Sequence, residues 1–157
     1  MPNVVFDAST VVGALLKQGS VPERALLLAR VLATICLSTE VEAEIREVFA
    51  RPKFRKYLTP GRADHIHAVM AAAAYRAEPT ERVADCRDPK DNKYLELALA
   101  AGATTIVSSD DDLLVLHPWR DIDIVTPLAF VTALESAWAA QDSKPDVPST
   151  PGTGAKP

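Results

Sequence analysis

Four short apolar runs constrain this chain more than any other feature. NVVF (3–6), TICL (34–37), TTIVS (104–108) and IDIV (122–125) are rich in β-branched side chains and too short to be core helices. The stretches between them carry helical spacing. Helices are expected over 10–17, 22–32 and 40–50, from Thr59-Pro60 to about Arg76, over 90–101, and from Pro127 to about Ala140. Pro22 and Glu23 suit a first helical turn, Ser38 or Thr39 can cap the third helix, Asp88-Pro89 opens the fifth, and Gly102 ends it. The segment 78–83 is weakly strand-like. Strands alternating with helices predict an α/β fold with a mainly parallel sheet and helices on both faces.

Length and composition narrow this to one domain. The chain has 157 residues, 48% apolar and 24% charged, which is enough to bury a core without staples. Its two cysteines exclude a disulfide framework, and no CxxC is present for zinc or redox work. No apolar run reaches the roughly 18 residues of a membrane span. The opening MPNVVFDAST lacks the basic start and long apolar stretch of a signal peptide, so a cytoplasmic protein is expected. Residues 141–157 hold four prolines and two glycines and almost no large apolar side chains, and a disordered tail is expected there. The folded domain is then 1–140. A net charge of −4 argues against a bulk basic nucleic-acid binder but leaves room for an acidic metal site.

In open parallel sheets, sites form beyond the carboxyl ends of strands. Asp7 ends the first strand and Asp110 follows the third. Asp91 lies in DPKDNKYLELALA and Glu44 in STEVEAEIREVF. Four carboxylates from separate segments could converge on one hard cation such as magnesium. Each also has a plainer explanation. Asp7 could only cap the next helix, with Ser9 or Thr10 sharing that work. Asp88 and Asp91 have the spacing of a capping box with Pro89 between them. Asp110, Asp111 and Asp112 could be a solvated loop with an N-cap, although three adjacent like charges repel. In the third helix, Val41, Ile45, Val48 and Phe49 form an apolar stripe that Glu42 and Glu44 flank on opposite sides, so periodicity leaves those two tied.

Other features are weaker. His65 and His67 are two apart on a helix and cannot face one metal together. Ser9 has no histidine partner in the sequence, which removes a hydrolase triad. Cys36 and Cys86 read as structural thiols. Arg51, Lys53, Arg55, Lys56 and Arg62, with Phe54 and Tyr57 interleaved, form the one concentrated basic stretch. It could follow a phosphate backbone, or be a solvated helix end.

VVFDASTVVGALL, TEVEAEIREVFARPKF, DCRDPKDNKYLELALAAGATTIVSSDDDLLVL and DIDIVTPLAFV together resemble the PIN-domain nucleases. Among these they are most similar to the toxin branch of toxin–antitoxin pairs, related to VapC toxins. The resemblance spans roughly residues 3–134 and lies in the order and spacing of the motifs. It implies a three-layer α/β/α PIN-like fold and a divalent-metal-dependent ribonuclease that leaves 5′ phosphate and 3′ hydroxyl ends. It implies Asp7, Glu44, Asp91 and Asp110 as the catalytic and metal-holding acids, which decides for Glu44 over Glu42, with Asp112 as an additional metal ligand. Ser9, Asp88 and Asn92 stand in supporting positions. Asp111 stands where a basic or polar residue is frequent. The implied cofactor is Mg2+ or Mn2+, one or two ions. The implied partners are RNA, a cognate antitoxin and a second copy in a homodimer, with no membrane.

Two other readings remain open on sequence. FDAST after a strand has a faint likeness to haloacid-dehalogenase phosphatases, but Ser9 stands where that chemistry needs a second Asp. A PIN-like fold could also persist as an inactive interaction module.

Overall fold

The computed structural model describes residues 1–59 and 61–143; Pro60 and residues 144–157 of the expected 141–157 tail lie outside the described residues, while 141 and 142 complete the last helix instead of opening a disordered tail. Five parallel strands form one sheet: β1 (Asn3–Phe6), β2 (Thr34–Leu37), β3 (Ala74–Arg76), β4 (Thr105–Val107) and β5 (Asp123–Val125). Their order is β3-β2-β1-β4-β5. The helices are α1 (Ala8–Leu16), α2 (Val21–Leu32), α3 (Thr39–Phe49), α4 (Arg62–Ala73), α5 (Asn92–Ala101), the single turn α6 (Asp111–Leu114), and α7 (Pro127–Asp142). Short 3-10 turns occupy Pro52–Tyr57 and Pro89–Asp91. This is the three-layer α/β/α arrangement expected from the sequence.

The apolar runs become the middle of the sheet because both of their faces are covered. Val4, Val5 and Phe6 of β1, Ile35 of β2, and Ile106 and Val107 of β4 are fully buried. Right-handed crossovers send the connections on either side of β1 to opposite faces of the sheet. Accordingly α2 packs against α1, α4 and α7, while α5 lies across β1, β2 and β4. Gly102 ends α5 with φ near +60°, a left-handed conformation that favours glycine.

The strand beyond the four apolar runs, β3, lies at Ala74–Arg76, before the weakly strand-like segment 78–83. The fourth helix was expected to run from Thr59-Pro60 to about Arg76, but it begins at Arg62 and stops at Ala73. Ala74, Tyr75 and Arg76 pair instead with Ile35, Cys36 and Leu37 of β2. The pairing extends to Ala77, whose N–H donates to Leu37 O at 3.0 Å. Ladder bonds on an otherwise open sheet edge outweigh the helix preference of alanine, which is a weak prior. The 78–83 segment forms no strand. Its Val83 N–H donates to Glu96 Oε2 on α5 at 3.1 Å, which satisfies the backbone without a ladder.

Arg62 anchors the start of α4 to the end of α1. Its guanidinium donates to the carbonyls of Ala14 (2.5 Å) and Leu15 (3.0 Å) and pairs with Glu23 at 2.6 Å. Those carbonyls belong to the last turn of α1, where cationic donors stabilise orphan acceptors. Both partners of the ion pair are largely buried, with 13% and 10% side-chain exposure. Arg62→Met is expected to destabilise the protein by about 2–4 kcal/mol, because it leaves the buried Glu23 carboxylate without its countercharge, with only the Gly19 amide as donor, and removes the donor to two helix carbonyls. Chemical denaturation of the two proteins reads this directly; a loss under about 1 kcal/mol would mean that solvent reaches the pair.

Candidate active site

The strand order reverses at β1 and β4, the two central strands whose connections leave in opposite directions. The crevice beyond their carboxyl ends is the topological switch point where ligands bind in open α/β sheets. Phe6 pairs with Val107, so the next residues, Asp7 and Ser108, emerge side by side. Asp7 N–H donates to Val107 O at 3.1 Å, and Ser108 Oγ–H donates to Asp7 Oδ2.

Asp7 does two jobs with its two oxygens. Oδ1 accepts Thr10 N–H at 2.9 Å and caps α1, so the plain capping role is real. Oδ2 accepts from the hydroxyls of Ser9 (2.8 Å) and Ser108. Asp7 is almost wholly buried. Burial pushes its pKa up, and the hydrogen bonds from Ser108, Thr10 and Ser9 only partly offset that. Ser108 also accepts Asp110 N–H at 2.9 Å, which links the first acid to the fourth through one hydroxyl.

Asp110 caps α6, accepting Asp112 N–H at 2.9 Å. Asp88 caps the following 3-10 turn through Lys90 N–H at 3.0 Å. Asp91 behaves differently. It stands at the N-cap of α5 but makes no side-chain capping bond, so the capping-box explanation does not describe it. Its Oδ2 is buried without a hydrogen-bond partner. Its pKa is raised to about 7, by burial first and then by the Asp110, Asp88 and Asp7 carboxylates around it.

Glu44 and Glu42 separate in space. Glu42 pairs with Arg46 (2.9 Å) and Arg76 (2.6 Å) and lines a different cavity of about 200 Å³. Glu44 turns toward the acids, where its Oε2 accepts Tyr94 Oη–H at 2.6 Å and lies 2.9 Å from Lys93 Nζ. Asp7, Glu44, Asp91 and Asp110 line one cleft of about 390 Å³, with Ser9, Asp88 and Tyr94 on its walls. Asp112 is not among the lining residues, and its carbonyl accepts from Cys86 Sγ at 3.5 Å. Asn92 lies behind the wall, where its Oδ1 accepts Cys86 N–H at 2.9 Å and fixes the loop before Asp88.

The basic stretch divides. Arg51 and Phe54 line the cleft together with Lys90. Lys53 and Lys56 lie over the rings of Phe54 and Tyr57, each at 5.0 Å. Arg62 is corrected out of this patch, because its guanidinium is spent on α1 and Glu23.

Magnesium favours a few carboxylates with its remaining positions held by water. The donor set here is all oxygen, and the buried, unpartnered Asp91 Oδ2 is an acceptor that such an ion would satisfy. Among the described residues, no three His, Cys, Asp or Glu side chains already stand around a common point. Asp91 and Asp110 approach closely enough to share a proton, and side-chain rotation or bridging water would bring the other acids to a common ion.

Three residues of this site were not singled out from the sequence. Ser108 follows a strand in register with the one ending at Asp7. Tyr94 lies one helical turn after Asp91, on the same face. Lys93 pairs with an acid from another helix, which no local spacing reveals.

A family model described as PIN domain matches residues 3–112. No curated protein matches the sequence. Among solved structures, a chain in the crystal structure of VapBC2 from Rickettsia felis bound to a DNA fragment from their promoter is similar, with a TM-score of 0.52 and 15% identity. The match covers 79% of this chain and 98% of that one, and at that identity the likeness is one of fold.

Proposed function

The chain belongs to the PIN domain family, a family of nucleases, and from that premise we propose that it is a divalent-metal-dependent endoribonuclease, the VapC-like toxin of a toxin–antitoxin pair. The phosphatase reading falls with the family assignment. One observation carries the proposal: Asp91 is buried with an unpartnered carboxylate oxygen in the cleft that Asp7, Glu44 and Asp110 also line. Capping does not explain this oxygen; a cation would partner it, and without one a proton shared with Asp110 relieves the crowded charge.

Asp7, Glu44, Asp91 and Asp110 would hold one or two Mg2+ or Mn2+ ions, with Asp112 within the same acidic turn. When bound, the ion supplies positive charge to the scissile phosphate and makes a water more acidic. The chain's own residues do the rest. Ser9 and Ser108 fix the Asp7 carboxylate by donating to Oδ2. Asp88 and Asn92 shape the turn that carries Asp91. The raised pKa of Asp91 lets it keep a proton near neutral pH when no cation is present and release it when one arrives.

RNA is repelled by such a cleft unless cations flank it. Arg51 and Lys90 stand on the cleft wall, and Lys53, Arg55 and Lys56 continue from it. The double charge reversal of Lys53 and Arg55 to Glu is expected to weaken single-stranded RNA binding about tenfold at low salt and to flatten its salt dependence. Binding that keeps both its strength and its salt slope would remove the patch from the proposal.

The toxin reading also brings partners: an antitoxin that covers the acidic cleft, where an Arg or Lys would pair with the carboxylates, and a second copy in a homodimer. The same reading puts the protein in the cytoplasm with its RNA substrate. No helix among the described residues is long and apolar enough to cross a membrane. Co-expression with the adjacent small reading frame, followed by size-exclusion chromatography, tests both partners. A lone monomer at high concentration would contradict them.

A further inference from the structure

We propose that Tyr94 is a positioning residue for Glu44: its buried hydroxyl fixes one carboxylate oxygen, Oε2, so that the other, Oε1, is presented to the cleft. This inference rests on the metal-centre reading above.

Tyr94 is 1% exposed, and its ring sits in the core beneath the cleft. Its hydroxyl accepts Ala8 N–H at 3.0 Å and donates to Glu44 Oε2 at 2.6 Å. A phenol has one proton, so with the amide on its lone pair that proton is committed to Glu44. Ala8 is the first residue of α1 and follows Asp7 directly. One side chain from α5 therefore ties the corner that carries Asp7 to the helix that carries Glu44. Lys93 Nζ lies against the same Oε2 at 2.9 Å, and its side chain is only 13% exposed. Among the described residues, both donors converge on Oε2 and none reaches Oε1. A glutamate free at its three side-chain torsions would lose that freedom on binding an ion. Here the torsions are set beforehand, and preorganisation lowers that cost. Partners that orient a metal-holding carboxylate from behind typically change metal affinity by about 10–100-fold.

The test is a calorimetric Mn2+ titration of the full chain as wild type, Tyr94→Phe, Glu44→Gln, and the double variant. Tyr94→Phe keeps the ring in the core and removes only the hydroxyl. It is expected to weaken Mn2+ binding about tenfold, to raise the Mn2+ needed for half-maximal RNA cleavage by the same factor, and to leave cleavage at saturating Mn2+ within a few-fold of wild type. In the Glu44→Gln background the same change is expected to have little further effect, because Tyr94 acts through Glu44. An equal loss in both backgrounds, or a lower melting temperature with unchanged Mn2+ affinity, overturns the inference and leaves Tyr94 a core residue. A wild-type measurement stands beside this in case the variant does not fold. The Tyr94 Cζ and Glu44 carboxylate carbon resonances are expected to shift together as Mg2+ is added, and a Tyr94 signal that stays fixed while Glu44 moves overturns the inference. A wild type that binds no Mn2+ at all contradicts the metal-centre reading itself, a different result from equal binding by wild type and variant.

Discussion

Asp7→Asn is expected to lower metal-dependent RNA cleavage by at least about a hundredfold while the protein stays folded. The two effects separate because Asp7 has two oxygens with different duties. Asparagine is as good an N-cap as aspartate, and its carbonyl can still accept Thr10 N–H at the start of α1. Ser9 and Ser108 now donate to Oδ2, and both hydroxyls can rotate to accept from an amide instead. Burial disfavours the charged form of Asp7, so removing the charge also removes that penalty. A melting temperature at or above that of the wild type, with cleavage gone, is the expected pair of results. Loss of both together would mean that the carboxylate is chiefly structural.

The metal-free protein is expected to be more stable at pH 5 than at pH 8, and Mg2+ is expected to reverse most of that difference. Asp7 and Asp91 have folded-state pKa values above the roughly 3.9 of an unfolded aspartate, Asp91 at about 7. Between those values the folded protein keeps protons that the unfolded chain has released. Stability therefore falls as pH rises from about 4 through the Asp91 value of about 7. Glu23 and Glu42 have the opposite sign. Burial works against the Glu23 charge, but the Gly19 amide and Arg62 hold its pKa below the usual range; Arg76 and Arg46 do the same for Glu42. Their contribution is present above about pH 4.5 and is lost in acid, so it is constant from about pH 5 to 8. His67, whose pKa burial holds below the usual histidine value, adds a rise in stability across that window, so the comparison is made in a His67→Gln background. A divalent ion at a hundred times its dissociation constant adds about 2.7 kcal/mol, most of it at the high-pH end where the carboxylates are charged. Melting curves in EDTA and in Mg2+ across this window check the sign. Metal-free stability that rises from pH 5 to 8 would show that the acids are not crowded. Asp91→Asn is expected to flatten the EDTA curve.

Much of this was legible in the chain because the strongest signals were local. NVVF, TICL and TTIVS could be buried only in the middle of a sheet, and Pro22, Ser38 and Gly102 mark helix ends by backbone chemistry that needs no tertiary context. Asp7 and Asp110 were readable as strand-end acids once the sheet was taken as parallel. What failed depended on distant partners. β3 exists because β2 offers an edge, and an alanine-rich stretch carries no trace of that. Arg62 read as part of a basic patch because its neighbours are basic, whereas its own partners lie 39 to 48 residues away in the sequence. Glu42 and Glu44 were tied by periodicity because both flank one stripe. They separate only where Arg76 draws one away and Tyr94 holds the other. Ser108 was hidden in plain view beside the acids, since its role follows from the register of β1 against β4.

The most direct measurement is cleavage of single-stranded RNA by wild type and Asp7→Asn side by side, in Mg2+, in Mn2+ and in EDTA. A carboxylate metal centre in this cleft requires cleavage by the wild type with either ion, none in EDTA, recovery when Mg2+ is restored, and almost none by folded Asp7→Asn. Cleavage that survives EDTA, or that the two proteins perform equally, would contradict it.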